Sequence, residues 1–571
     1  MTEEKYSEWS KPELIKEIKK LKKRKKYGIL WEDKPEKVAD LCKEKLPILE
    51  EDTKKEIKTD DKKPVNILIE GDNYHALSVL NYTHKGKVDV IYIDPPYNTG
   101  NKSWKYNNNY VERDDLFKHS KWLSFMDKRL RLAKNLLKRN GTIIVAIDDY
   151  EMHALRLLMD EIFGENNLLA VVVVQSKPSG RTTDKFFAIC HEYYLFYAKN
   201  EKLATVELFD LTGDQAEAFK YKDEISPYKW RDFLRTGGYS TPKERPNSFY
   251  PIYFNPNSNV ISVEKISNSI DILPIDTKGK ERVWRQTKPS LMEAINRADI
   301  KISKRKDGTY KVLMKDRIKE GRKPKTIWDS PKYDASTHGT KLLERILQKS
   351  RSFEFPKSVH AVHDALYILT KNKKDAVILD FFAGSGTTGH ALLNLNKRDN
   401  GNRKFILCTN NEDNNGTGLK IATDICYPRI QKVIQNLEKE SKGKLISNRP
   451  SGLKYFKTDF VDAEPTDKNK RKMVDKSTEM LCLKEDCFDE VKEGKEFRIF
   501  KNDGKHLGII YDDDGIEPFK KEVKKLNKKF IVYVFSLDES AREEEFEDVA
   551  ELVELKPIPA VILNVYKRIF K

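Results

Sequence analysis

Short apolar runs that stop at polar turns, separated by helix-like segments, dominate residues 66 to 200 and limit this chain to an α/β architecture. NILIEGD (Asn66 to Asp72), VDVIYIDPPY (Val88 to Tyr97), TIIVAIDD (Thr142 to Asp149) and LLAVVVVQ (from Leu168) have the continuous apolar pattern of buried, parallel strands. Tyr74 to Leu80 reads as a short helix and Tyr150 to Phe163 as another. In WLSFMDKRLRLAKNLLKRNG, Leu123, Met126, Leu130, Ala133 and Leu137 fall on one helical face, and Gly141 is the expected stop. Repeated strand–helix alternation predicts a doubly wound sheet with right-handed crossovers.

The alternation breaks at about residue 205 and resumes only with AVILDFFAGSGTTGHALLNL (Ala376 to Leu395) and KFILCTNNE (Lys404 to Glu412). Between them, prolines, aromatics and cations interleave, as in YKW (Tyr228 to Trp230) and RPNSFYPIYF (Arg245 to Phe254), which marks an inserted domain. The expected organisation is a basic helical arm over 1–63, one half of the α/β domain over 64–204, the insert over 205–335, the second half over 336–440 and an α+β region over 441–571. In the arm, Leu14, Ile18 and Leu21 lie at helical spacing within LIKEIKKLKKRKK. That segment reads equally as a solvated helix or as one that touches phosphates or a subunit. The last region has strand-like segments (FRIF, HLGIIYD, FIVYVFSL) and no catalytic constellation, so a subunit or DNA contact is expected of it.

Charge then narrows the partner. Lys plus Arg number 107 against 90 Asp plus Glu, a net +17 over 571 residues, which favours a polyanion. The six cysteines include no CxxC pair, so no zinc site is expected. The N-terminal residues lack a signal-peptide pattern, and no apolar run is long enough to span a bilayer. A cytoplasmic, nucleic-acid-facing protein away from membranes is the expectation.

Two segments carry chemistry. In FAGSGTTG an apolar strand runs into a turn with Gly384 and Gly386 and then a helix, where close backbone approach and free N–H groups receive a ligand. An NTP-binding loop fails here, because His390 replaces the lysine and Ala391 the hydroxyl. Gly384, Gly386 and Gly389 suit a dinucleotide or S-adenosylmethionine equally, with Glu412 at the next strand's end for ribose hydroxyls. The second segment is Asp94-Pro95-Pro96-Tyr97. Its prolines remove two donors and leave an acceptor-rich loop between a carboxylate and an aromatic ring, suited to a flipped-out base with an exocyclic amine. An isolated four-residue match reads otherwise as a plain strand end.

DPPY preceding FAGSG resembles the permuted, beta-class amino-group DNA methyltransferases. RKKYGILWEDKPE (Arg24 to Glu36), EGDNYHALSVL, IDDYEMHALRLLMDEIFGE, HEYYLFYAKN, GTKLLERIL, FEFPKSVH and GLKYFKTDF, in that order, are similar to modification (Mod) subunits of type III restriction–modification systems. The resemblance implies a Rossmann-like methyltransferase sheet, S-adenosylmethionine as cofactor, no metal, double-stranded DNA as substrate, a homodimer and a separate restriction (Res) subunit. It implies that Asp94, Pro95, Pro96 and Tyr97 are catalytic. Asp380, Phe382, Ala383, Gly384, Gly386 and Thr387 would embrace the methionine end of the cofactor, Glu412 its ribose and Asp72 its adenine, with Lys357 and Ser358 contributing from the segment that precedes the fold. Asp72 and Lys357 read as well as an ordinary strand-end carboxylate and a surface lysine, and His191 as structural. Asp94 in place of a serine points to adenine over the cytosine amine. An orphan methyltransferase and a non-catalytic specificity subunit are the alternatives. The insert would read the target, with Arg231, Arg235 and Arg285 able to meet phosphates or guanine edges.

Overall fold

The computed structural model describes residues 10–22, 31–59, 64–107, 109–112, 114–181, 185–211, 213–414, 416–441, 452–462, 464, 466–502, 504–536 and 540–569. Two compact units emerge: residues up to Glu207 together with those from Lys325 onward form one, and Leu208–Pro324 the other. Residues 325–335, grouped with the insert on texture, belong to the first unit. The arm and the C-terminal region fall within that unit as well. Part of the expected basic helix is present as Lys11–Lys22; its residues 23–26, and 24–30 of the RKKYGILWEDKPE segment, lie outside the described residues.

The first unit is organised on a ten-stranded mixed sheet. Its strands, numbered along the chain, are β1 (Lys45–Glu51), β2 (Asn66–Glu70), β3 (Val88–Ile93), β4 (Leu137–Ile147), β5 (Leu168–Val174), β6 (Glu192–Ala198), β7 (Ile327–Trp328), β8 (Val377–Asp380), β9 (Lys404–Thr409) and β10 (Leu453–Asp462). They lie in the order β1-β10-β2-β9-β8-β3-β4-β6-β5-β7. The stretch from β10 to β4 is parallel throughout, whereas β6 runs antiparallel to both β4 and β5. The doubly wound, mostly parallel sheet expected from alternation is thus present, with β6 reversed near one edge and β1, antiparallel to β10, reversed at the other.

Helices α1 (Asn73–Thr83), α2 (Lys118–Leu136) and α3 (Met152–Phe163) pack on one another, and α4 (Val359–Thr370), α5 (Thr387–Asp399) and α6 (Tyr427–Ser441) do likewise. Ile67, Ile69, Ile91, Ile93, Leu379, Ile406 and Cys408 belong to the core that contains α1, α2 and α3. The alternate residues Leu68, Val90, Tyr92, Ile378, Phe405 and Leu407 are just as buried, so these strands are covered on both faces. That double burial is why their sequences read as unbroken apolar runs.

Gly141 does not end a helix. α2 stops at Leu136, where Leu137 turns extended, and Gly141 lies inside β4. A Cβ there would come within 3.1 Å of both Lys138 O and Val88 O, at a point where the β3–β4 register shifts. Glycine permits that close backbone approach.

After residue 465 a five-stranded sheet (Asp489–Lys492, Phe497–Asn502, Lys505–Ile510, Phe530–Phe535, Val553–Ile558) shares the core of α1, with Tyr566 donating to Pro47 O at 2.6 Å. Among its described residues the second unit holds short antiparallel strands and the α-helices Gly213–Glu217 and Lys288–Asn296, with its own core of Phe233, Tyr250, Ile252, Phe254, Trp284 and Leu291.

Candidate active site

The two chemistry-bearing segments meet because of strand order. β8 pairs in parallel with β3, with Ile378 opposite Val90 and Leu379 opposite Ile91, so Asp380 and Asp94 leave the same sheet edge from adjacent strands. From β3 the chain winds outward to β4, and from β8 it winds the other way to β9. The gap between β3 and β8 is therefore a topological switch point, where a crevice opens beyond the carboxyl ends of the strands.

The Asp94–Tyr97 loop is pinned from behind. Trp122, fully buried on α2, donates its indole N–H to the Pro96 carbonyl at 2.7 Å. Asn98 follows with φ +55°, donates to Glu151 Oε1 at 2.5 Å and accepts from the Trp104 indole at 3.0 Å. His119 also contacts Glu151 Oε1, at 2.6 Å. A loop that gives up two backbone donors to proline is held by its carbonyl and by the residue after it.

Asp94 Oδ1 is buried, and among the described residues no hydrogen bond of good geometry reaches it. The Lys357 ammonium stands 3.1 Å away as an ion pair. That ammonium is 2.7 Å from Glu192 Oε2, contacts the Tyr97 hydroxyl and lies 4.6 Å from the Tyr97 ring centroid. Tyr97 in turn donates to Glu192 at 3.3 Å. Burial pushes the Asp94 carboxyl above its ordinary range, Lys357 opposes the rise and Glu192 adds to it. Burial would pull Lys357 down, yet the carboxylates of Asp94 and Glu192 outweigh it and hold the ammonium charged.

The glycine turn has the conformation its sequence requires. Gly384 and Gly386 have φ of +48° and +78°, and Gly386 caps the start of α5. The turn is anchored by Ala383 N–H to Cys408 O at 3.0 Å and Gly386 N–H to Ala383 O at 2.8 Å. Arg429, fully buried on α6, donates to the hydroxyls of Ser385 at 3.0 Å and Thr387 at 2.8 Å. Asp380 accepts from the Thr388 hydroxyl at 2.5 Å and from Phe382 N–H at 2.9 Å. Burial pushes its carboxyl up to about 7 despite those bonds. Phe382 packs its ring 5.8 Å from Phe125.

The remaining expected residues divide. Asp72 lies at the same edge, just beyond β2, and caps α1 by accepting from Tyr74 N–H at 2.7 Å. It also faces the buried Arg129 at 3.4 Å, whose main partner is Glu36 at 2.7 and 3.0 Å. Arg129→Met should lower unfolding free energy by about 3–5 kcal/mol, since it strands the buried Glu36 carboxylate; chemical denaturation monitored by fluorescence measures this. Glu412 sits beyond β9 and pairs with Lys105 at 2.8 Å, on the hairpin that follows the Asp94 loop. Ser358 spends its hydroxyl on Lys332 O at 2.8 Å. Lys357, placed by resemblance with the cofactor segment, has its ammonium among Asp94, Tyr97 and Glu192. His191 lies beside Tyr193, and Glu192 next to it is the residue of that stretch that reaches the site. Sequence reasoning missed Glu192, Trp122, Asn98 and Lys105. For Glu192 the usable signal was a carboxylate opening an otherwise apolar strand.

The N6/N4-methyltransferase family model, described as DNA methylase, matches residues 88–414, from the start of β3 past Glu412. The chain belongs to this DNA methylase family. Among curated proteins it is similar to the EcoPI Mod subunit of phage P1, at 34% identity over 68% of this chain and 65% of that protein. It is similar to the type II methyltransferase M.KpnI of Klebsiella pneumoniae, at 35% identity over 64% of this chain and 87% of that protein. The StyLTI Mod subunit of Salmonella typhimurium is 30% identical over 70% of this chain and 61% of that protein. The chain thus spans just under two thirds of the EcoPI and StyLTI Mod subunits. Of solved structures, the M1.HpyAVI–SAM complex covers 64% of this chain and 98% of its own, at 13% identity and a TM-score of 0.29. PvuII DNA methyltransferase (cytosine-N4-specific) covers 65% and 94%, at 14% identity and a TM-score of 0.26. The match in family spans both β3 with its DPPY loop and β8 with its glycine turn, the two segments that the sheet sets side by side.

Proposed function

We propose that this chain transfers a methyl group from S-adenosylmethionine to the exocyclic amine of adenine in duplex DNA, as the modification subunit of a type III restriction–modification system. The observation that carries the reading is the buried, hydrogen-bond-deficient Asp94 Oδ1 on the strand beside the Gly384–Gly386 turn. The cofactor suits the residues at hand. Asp72, Asp380 and Glu412 place acceptor oxygens at the sheet edge beside the glycine turn, suited to the hydroxyl and amino hydrogens of such a cofactor. The N-terminus of α5, opened by a positive-φ glycine, accommodates a carboxylate.

When bound, the cofactor would supply a methyl group activated on sulfur. Asp94 accepts a hydrogen bond from one hydrogen of the base's amine and the Pro95 carbonyl from the other, which draws the nitrogen lone pair out of conjugation and aims it at the donor. Asp94 is also the nearest acceptor for the proton that the methylated nitrogen sheds on its way to solvent. Tyr97 stacks on the extruded ring. Trp122 and Asn98 fix the loop, so catalysis rests on positioning and preorganised electrostatics and needs no covalent enzyme intermediate.

Residues 208–324 would choose the DNA sequence. Arg285 there is held below the usual arginine range by burial and by the neighbouring Arg231 and Arg235, a cluster of like charge suited to phosphates or guanine edges. A homodimer and a Res partner follow from the Mod reading. M.KpnI, 87% of whose length is matched against 65% for the EcoPI Mod subunit, favours a second reading in which the same chemistry acts without a restriction partner.

Incubation with methyl-labelled cofactor and duplex DNA, followed by digestion to nucleosides, tests the reaction. Label is expected in N6-methyladenine. Label in N4-methylcytosine replaces the base assignment, and absence of label from DNA defeats the proposal.

A further inference from the structure

The group opposite Asp94 is itself an amine. Lys357 arrives on the turn that leads into α4, Glu192 on the first residue of β6 and Asp94 just past β3, so three separate segments deliver the cluster. Lys357 and Glu192 are 8% and 6% exposed. One ammonium is set between two carboxylates, 3.1 Å from the first and 2.7 Å from the second, with the Tyr97 hydroxyl also in contact. A lysine ammonium offers three N–H donors and no acceptor, so beside Asp94 it occupies, as an ion pair at 3.1 Å, the side from which the exocyclic NH₂ of a base would donate. A buried carboxylate without such a neighbour takes up a proton, and a protonated Asp94 would be a weaker acceptor for the amine hydrogen that the mechanism assigns to it.

We propose that Lys357, seated on Glu192, is a positioning residue that stands in for the target amine at Asp94 Oδ1 and withdraws to Glu192 and Tyr97 when the base enters. This rests on the methyl-transfer reading above and adds to it a waiting state in which Asp94 is kept ionised. Glu192 is the seat that makes withdrawal possible, because the ammonium keeps a carboxylate partner in both positions. The groups facing Asp94 are Lys357, Glu192, Tyr97, Tyr92, Tyr194 and Asp380, and Asp148 faces Lys357. Of these only Lys357 is cationic. Its removal leaves burial and the Glu192 charge both raising the Asp94 carboxyl.

The test is the pH dependence of kcat, with KM for target duplex measured alongside, on full-length protein from about pH 5.5 to 9.5. In Lys357→Met the acid limb of kcat should move up by about one pH unit or more, while activity at high pH returns to within about tenfold of the parent. In Glu192→Gln the limb should move down and KM should rise, because the ammonium then competes with the base without a second seat. The double variant should bring the limb back toward the parent. A uniform loss of kcat in Lys357→Met with an unmoved limb would reduce Lys357 to a structural role and overturn the proposal; so would a Glu192→Gln enzyme with parental limb and KM. Should Lys357→Met not fold, Glu192→Gln decides alone. Failure of the parent enzyme to label adenine would sink the methyl-transfer reading instead, before any variant is compared.

Discussion

Asp94→Ala should cut kcat for methyl transfer by about 10³-fold or more while leaving cofactor affinity within a few-fold of the parent. The large effect follows from the geometry: Asp94 Oδ1 is the buried acceptor at the switch point, and no neighbouring carboxylate can replace it, since Glu192 already holds Lys357 and Asp380 already accepts from Thr388 and Phe382. The fold should tolerate the change. Removing Asp94 leaves a balanced Lys357–Glu192 pair, so the pocket loses a buried negative charge in place of gaining an unpaired one. Isothermal titration with S-adenosylmethionine beside a methyl-incorporation assay separates the two quantities. Retained turnover would remove Asp94 from the reaction, and a parallel collapse of cofactor affinity would move it from the base pocket to the cofactor site.

Exchange of residues 208–324 for the corresponding unit of a relative should redirect methylation completely to a new target sequence, with kcat on that target within about tenfold of the parent. The unit has a core of its own, built on Phe233, Tyr250, Ile252, Phe254 and Trp284, so it can be replaced without opening the sheet that holds Asp94 and Gly384. Its junctions belong at 207/208 and 324/325. Cutting at 335 would carry off Ile327–Trp328, which pairs with Val173 and Val174 at the edge of the catalytic sheet. Single-molecule sequencing of DNA modified by the chimera reads the outcome, and an unchanged target sequence would assign recognition elsewhere in the chain.

Legibility followed how local each cause was. The strands β2, β3, β4 and β8 were readable because burial on both faces leaves unbroken apolar runs, and the glycine turn because Gly384 and Gly386 hold positive φ that other residues resist. Gly141 misled because a glycine after an amphipathic run has the look of a helix stop; the close approach of Val88 O that requires it comes from a strand fifty residues earlier in the chain. Lys357 was placed with the cofactor segment by resemblance, while its ammonium lies with Asp94, and Glu192 escaped notice beside the more conspicuous His191. A side chain's partners across a sheet leave no trace in its own neighbourhood.

What the sequence determined by itself is the set of parts: an α/β chain interrupted by a separate unit, a glycine turn at the head of a helix, and an acceptor loop closed by two prolines. Each depends on propensities of a few adjacent residues. Their assembly was decided by tertiary structure alone. β8 and β9, encoded some three hundred residues later, insert between β2 and β3 and so bring Asp380 beside Asp94, because edge-to-edge pairing of buried parallel strands is chosen by packing across the whole sheet and not by nearness along the chain.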